Sequence, residues 1–272
     1  MDNVEFWDSN RKIIRSQAGG ARIGEGTAYS RGYSVLEELV GEISYFQMLV
    51  LNVTGNLVSR RLGEWIEATF LCMSWPDSRI WCNQVGAFGG TTKASPVSSV
   101  TAGILASDSK LYGPGTVRGA THFITSALRR VNEGQTLEEV IYSHSRKPGA
   151  QPTIPGYARP IAYGDERIEA MEKVRKKLRL DCGPHLELAF KVQEFLLDKH
   201  GESMNLAGYI MAFLSDQGMT AEQIYRIYAL CVNNGIHACY AEAYDNPPES
   251  FLPLRCEDIE YTGHAPRPVP DK

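Results

Sequence analysis

Long apolar runs, paired cysteines and a surplus of charge of either sign are all missing from this 272-residue sequence. No segment approaches the roughly 18 consecutive apolar residues of a membrane-spanning helix. The opening MDNVEFWDSNRKIIRS carries charge throughout, so it reads as neither signal peptide nor membrane anchor. A net charge of −4 and a pI near 5.9 argue against electrostatically driven binding to nucleic acid or to an anionic membrane. The six cysteines (Cys72, Cys82, Cys182, Cys231, Cys239 and Cys256) include no CxxC pair. In a chain of this size they read as reduced thiols of a cytoplasmic protein. Only His237 and Cys239 come near a metal-ligand spacing, and they are too close for a standard site, so no metal is expected.

What is present is a helical pattern cut by Gly and Pro. Hydrophobic content of 43% and charge of 22% are those of an ordinary globular protein. Ser34 and Glu37 have capping-box spacing ahead of Leu36, Leu39 and Val40. Residues 44–52 are strongly apolar. Residues 57–74 place Leu62, Trp65, Ile66, Phe70 and Leu71 on one side of a helix. Pro76, Asp77, Gly86, Gly89, Gly90 and Pro96 predict irregular structure over 76–96.

Helical spacing returns at 97–108 and 119–131. Thr136 and Glu139 cap a helix over 137–143. Pro148, Pro152, Pro155 and Pro160 forbid a helix across 145–164. Helices are then predicted at 165–180, 185–200, Asn205–Asp216 and about 221–243, the last capped by Thr220 and Gln223. A Pro-rich extended tail follows Asn246. No convincing strand pair is found, and the fold class is all-α.

Five segments, in order, carry a resemblance. They are SRGYSVLEELVGEISYFQMLVLNVTGNLVSRRLGEW (30–65), SVTAGILASDSKLYGPGTVRGA (99–120), PGYARPIAYGDERIEAM (155–171), NLAGYIMAFLSDQGMTAEQIYRIYALCVNNGIHACYAEAY (205–244) and EYTGHAPRPVP (260–270). Together they resemble the citrate synthase superfamily, and the length is similar to its short citryl-CoA lyase members. The resemblance implies a large and a small helical domain: 1–145 as the N-terminal part of the large one, 146–225 as the small domain with the active-site loop, and 226–272 as the return and tail. It also implies a homodimer with its site in the domain cleft, and a coenzyme A thioester as substrate rather than a tightly bound cofactor.

The same resemblance puts the family's chemistry in question at three positions. Its carboxylate base falls at Ala207, its enol-stabilising histidine at Thr116 or Val117, and its carbonyl-polarising histidine at Arg159. Alanine takes no proton, and arginine stays charged and only donates. Arg159 reads as an oxyanion or carboxylate clamp, or as a structural arginine in a decayed site. His122, on the helix after the enol-binding loop, reads as a displaced base or as a half-exposed surface histidine. Asp77 reads as a replacement carboxylate or as turn chemistry.

Arg167 matches the family's carboxylate-binding arginine. Arg255 lies one residue from the position of the arginine given across the dimer, and His237 is a further binding candidate. Pro155, Gly156 and Tyr157 supply the turn that meets adenine in the family. Arg146 and Lys147 fit its nucleotide-phosphate contacts, or are a solvated basic pair. His144, His185, His200 and His264 read as surface residues.

Three functions stay open. One is an enzyme of altered site that makes or breaks a C–C bond beside an acyl-CoA or related carbonyl of an anionic substrate. The second is an inactive binding or regulatory subunit. The third is a lyase that does not use coenzyme A.

Overall fold

The computed structural model describes residues 3–22, 27–109, 112–147, 149–158 and 164–270. Its helices in chain order are α1 Asn3–Asn10, α2 Tyr45–Thr54, α3 Arg60–Met73, α4 Trp81–Thr91, α5 Pro96–Ser107, α6 Val117–Asn132, α7 Leu137–Tyr142, α8 Glu166–Lys177, α9 Pro184–His200, α10 Leu206–Asp216, α11 Ala221–Ile227 and α12 Asn233–Asp245. The all-α reading therefore holds, with one small addition. Strands β1 Gly19–Arg22, β2 Thr27–Ser30 and β3 Tyr33–Ser34 form an antiparallel sheet in that order, with Gly19 opposite Ser30 and Tyr29 opposite Ser34. The β2–β3 turn has φ of 49° at Arg31 and 93° at Gly32. Two positive φ angles in succession suit a tight hairpin, but Arg at the first position hides the signal.

The chain forms two compact units, Met1–Trp75 with Ser107–Val232, and Pro76–Ala106 with Asn233–Lys272. The expected boundaries at 145/146 and 225/226 both lie inside the first unit.

The first unit is built around α10. NLAGYIMAFLSD is apolar on every face, and Tyr209 through Leu214 are fully buried, the pattern of a central helix. Trp65 of α3 lies 4.0 Å from the Phe213 ring, and the Thr69 and Tyr228 hydroxyls share a 2.7 Å hydrogen bond. Truncating Trp65 or Phe213 to alanine would cost roughly 3–5 kcal/mol. Leu71 is 65% exposed, so the α3 stripe is narrower than its spacing predicts. At residues 34–40 the structure keeps the Ser34 cap but gives only a π-type turn over Val35–Leu39. There the carboxylate that reaches back to Ser34 N is Glu38, and Leu36 and Val40 face solvent.

The second unit corrects the reading of 76–96. Trp81–Thr91 is a helix, and its glycines are there for contact with other chain segments. A Cβ at Gly86 would lie 2.7 Å from Ile236 Cγ2, and one at Gly90 would strike Tyr240 O. On α5, a Cβ at Gly103 would also lie 2.7 Å from Ile236 Cγ2. Glycine here lets α12 approach the backbones of α4 and α5, which outweighs its helix penalty of about 1 kcal/mol. The long helix expected over 221–243 is broken. It stops at Ile227, passes through a 3-10 turn at Tyr228–Leu230, and restarts at Asn233.

Candidate functional site

Three chain segments of the first unit converge at the 155–158 turn. Gly156 has φ of 93°; a Cβ there would lie 2.8 Å from Gly208 Cα of α10 and 3.3 Å from Ala120 Cβ of α6. Pro155 sits 3.2 Å from where a Cβ of Gly119 would be. The first turns of α6 and α10 thus meet at one strained loop, whose next residue, Ala158, has φ of 91°. Asn205 secures it. Its backbone N–H donates to Gly156 O and its amide to Ala158 O, both at 2.9 Å, while its Oδ1 caps α10 by accepting from Gly208 N. Tyr157 points inward and donates to Ala189 O at 3.0 Å, and burial pushes its phenol up. Its side chain is therefore structural, and only the backbone turn and exposed Pro155 remain for a ligand.

Asp165 is the residue that sequence reasoning missed. Its carboxylate is fully buried. Oδ1 accepts from Arg167 N at 3.2 Å and Arg167 Nε at 2.7 Å, and Oδ2 accepts from Arg167 Nη2 at 2.6 Å and Leu206 N at 2.8 Å. One side chain therefore caps α8 and holds the start of α10. The signal was present as an Asp directly before a helix, but the second helix was not visible in it. Arg167 is correspondingly engaged. Its remaining Nη1 reaches Cys72 O at 3.5 Å, and its guanidinium lies 5.9 Å from the Trp75 ring. The bidentate partner of Arg167 is an internal carboxylate, where the sequence suggested a substrate's.

Arg159 lies outside the described residues. Ala207 is half-buried on the first turn of α10, Val117 is buried, and half-buried Thr116 donates its hydroxyl to Gly113 O. His122 is exposed on α6 and within electrostatic range of Glu222. Glu222 is ion-paired with Arg118 at 2.6 Å, and that pairing lowers its carboxyl below the usual range. Asp77 and His237 belong to the second unit. Asp77 closes a turn on Arg79, whose hydrogen bonds hold its carboxyl at about 2. His237 and Arg255 are exposed, and Arg255 N donates to Asp258 Oδ2 at 2.8 Å.

Arg146 and Lys147 line a cleft of about 500 Å³ with Tyr142, Ser145, Gly149 and His200. His200 is half-buried against the Tyr142 ring, 5.8 Å between centroids, which corrects its reading as a surface histidine.

No protein-family model matches the sequence, and a search of curated proteins found no match. Solved structures do match. Citryl-CoA lyase from Hydrogenobacter thermophilus superposes with a TM-score of 0.79 at 24% identity, over 95% of this chain and 98% of that one. This is the citrate synthase fold. Methanosaeta concilii ATP citrate lyase, a D541A mutant in complex with (3S)-citryl-CoA, shares it at a TM-score of 0.75 and 15% identity, over 97% of this chain and 45% of that one. Citrate synthase from Thermoplasma acidophilum shares it at 0.63 and 15%, over 84% and 59%. The chain with this citrate synthase-like fold thus spans less than half of the ATP citrate lyase chain and nearly all of the citryl-CoA lyase. Among the described residues, no helix is long and apolar enough to cross a membrane, and no three His, Cys, Asp or Glu side chains gather as a metal-binding group.

Proposed function

We propose that this chain makes or breaks a carbon–carbon bond beside an acyl-CoA or related carbonyl of an anionic substrate. The observation that carries the reading is the convergence of the α6 and α10 first turns on the 155–158 loop, with a basic cleft on the chain just upstream. It is supported by the fold shared with a citryl-CoA lyase of nearly equal length. In the condensing direction a base takes a proton from the carbon next to the thioester, and the enolate attacks an oxo-acid carbonyl. Of the two candidate bases, His122 fits better, since a carboxylate held at about 2 is a weak proton acceptor near neutrality. Arg159 stabilises developing negative charge, and coenzyme A enters as thioester substrate along Arg146, Lys147 and the Pro155-Gly156-Tyr157 turn.

A homodimer in the cytoplasm completes the proposal, with Arg255 reaching the partner's site. Trp81 and Phe88 on α4 and Val97 and Leu105 on α5 support a partner, because all four are large, apolar and exposed. The test offers citryl-CoA, and acetyl-CoA with oxaloacetate, to the purified protein and follows thioester absorbance. Turnover that falls in Arg159→Ala and His122→Ala is expected; turnover unchanged in both sinks the assignment.

A second reading is favoured by one observation. Ala207 puts no carboxylate on the first turn of α10, and Asp165, the nearby buried one, is fully engaged. A binding or regulatory subunit of this fold would take up coenzyme A with saturation and turn over none of these substrates.

A further inference from the structure

The first twenty residues form an arm whose apolar side chains have nothing to rest on. From Asn3 to Gly20 every residue is exposed except Asn10, which is half-buried. Among them are the large apolar side chains of Val4, Phe6, Trp7, Ile13 and Ile14, the last of them 97% exposed. Phe6 and Trp7 meet edge to face, with 5.5 Å between ring centroids. α1 is 8 residues long and buries none of them. A helix this short is marginal in water by itself, and a cluster of exposed apolar side chains marks a surface that something covers.

The root of the arm is fixed on the first unit. β1 pairs with β2. Ala18 O and Gln17 O accept from Arg31 N and Nη1, and Arg31 Nη2 donates to Asn52 O of α2 at 3.0 Å. Ahead of that root, among the described residues, the side-chain bonds of 3–15 stay within the arm. Arg15 donates to Asn10 Oδ1 and Ser9 O, Ser9 and Asn10 donate to Phe6 O, and Arg11 pairs with Asp8 at 3.0 Å.

Charge changes sign along the arm. Glu5 and Asp8 come first, and Arg11, Lys12 and Arg15 follow. Arg15 folds back onto Asn10, which keeps its charge at the C-terminal end of α1. This order suits the helix macrodipole, but it leaves the apolar side chains uncovered. An antiparallel copy of the same helix answers both. It sets each acidic end beside a basic end and lays apolar side chains against their own kind. A lipid surface fits less well, because helices that lie on membranes are rich in cations on their polar face, and here that face begins with two carboxylates.

We propose that α1 pairs antiparallel with α1 of a second copy of this chain, with Phe6, Trp7 and Ile14 packed across the two-fold axis and Glu5 and Asp8 beside the basic end of the other arm. Such a contact is self-complementary and closes on itself. It is separate from the α4 and α5 face, which belongs to the other compact unit, and it does not rest on the coenzyme reading. Both contacts together give a dimer of dimers, and the arm alone gives a dimer.

Sedimentation velocity of the full-length protein and three variants tests this, with far-UV circular dichroism as the check on folding. Phe6→Asp with Trp7→Asp should halve the mass of the wild-type assembly. Glu5→Lys with Asp8→Lys makes residues 3–15 wholly basic, and Arg11→Glu with Lys12→Glu and Arg15→Glu makes them wholly acidic. Each of these should also halve the mass, since like charges then face each other, and an equal mixture of the two should restore it. Folded variants that sediment like the wild type, or charge variants that stay apart when mixed, would overturn the proposal. So would arm-dependent binding to phosphatidylglycerol–phosphatidylcholine vesicles with no change of mass in the variants, which would assign the arm to a lipid surface.

Discussion

The chain builds one local device twice and uses it differently. Asp77-Ser-Arg79 and Asp165-Glu-Arg167 both fold so that the aspartate accepts from the backbone N–H, Nε and Nη2 of the arginine two residues on. At the first, Arg79 is 89% exposed and the pair closes a surface turn. At the second, the Asp165 carboxylate is fully buried and also holds Leu206 N, while the arginine reaches Cys72 O. Identical spacing yields identical local hydrogen bonds. Burial and one extra acceptor contact turn the second into a pin between two helices.

Removing the carboxylate at each site gives the sharpest contrast. Asp165→Ala strands a largely buried arginine and two helix starts, and should destabilise by roughly 3 kcal/mol or more in urea unfolding. Asp77→Ala should move the urea midpoint only slightly, because water replaces most of what it loses. A midpoint shift of equal size in both variants would erase the distinction.

Next in size is Gly208→Ala, which leaves the Asp165 pair intact and pushes a methyl into Gly156 O. Overpacking of this kind costs about 1–3 kcal/mol. It should also weaken coenzyme A binding, by displacing the 155–158 turn, more than a matched destabilisation elsewhere does. Equal effects would show that the turn does not touch ligand.

The smallest effect is acid titration of the exposed pair, followed by the Asp77 carboxyl resonance. The folded value lies below the ordinary 3.8, so the stabilisation is present above about pH 4 and is lost as pH falls through about 2. Arg79→Ala should return the carboxyl to near 3.8 with only a small fall in melting temperature, the pair being exposed. A value that stays near 2 would place the cause outside the arginine.

The difference between the two pairs also marks how far the sequence could be read. Asp before a helix, Ser44 with Gln47, Thr136 with Glu139 and Thr220 with Gln223 are all local patterns, and the last two caps are present as predicted. The 76–96 segment was misread because Gly86 and Gly90 look like helix breakers until Ile236 and Tyr240, some 150 residues away in sequence, lie against them. Of the candidate site, the 155–157 turn and the basic pair were legible as residues. Asp165 was not, since nothing local says that a carboxylate capping one helix will also hold the start of another.

The sequence by itself determined the helical class and most helix starts, because periodicity and capping act within a few positions of the chain. Tertiary structure alone decided which carboxylate became a pin and which glycines became contacts. Those outcomes depend on burial, and burial is set by what distant segments bring into contact.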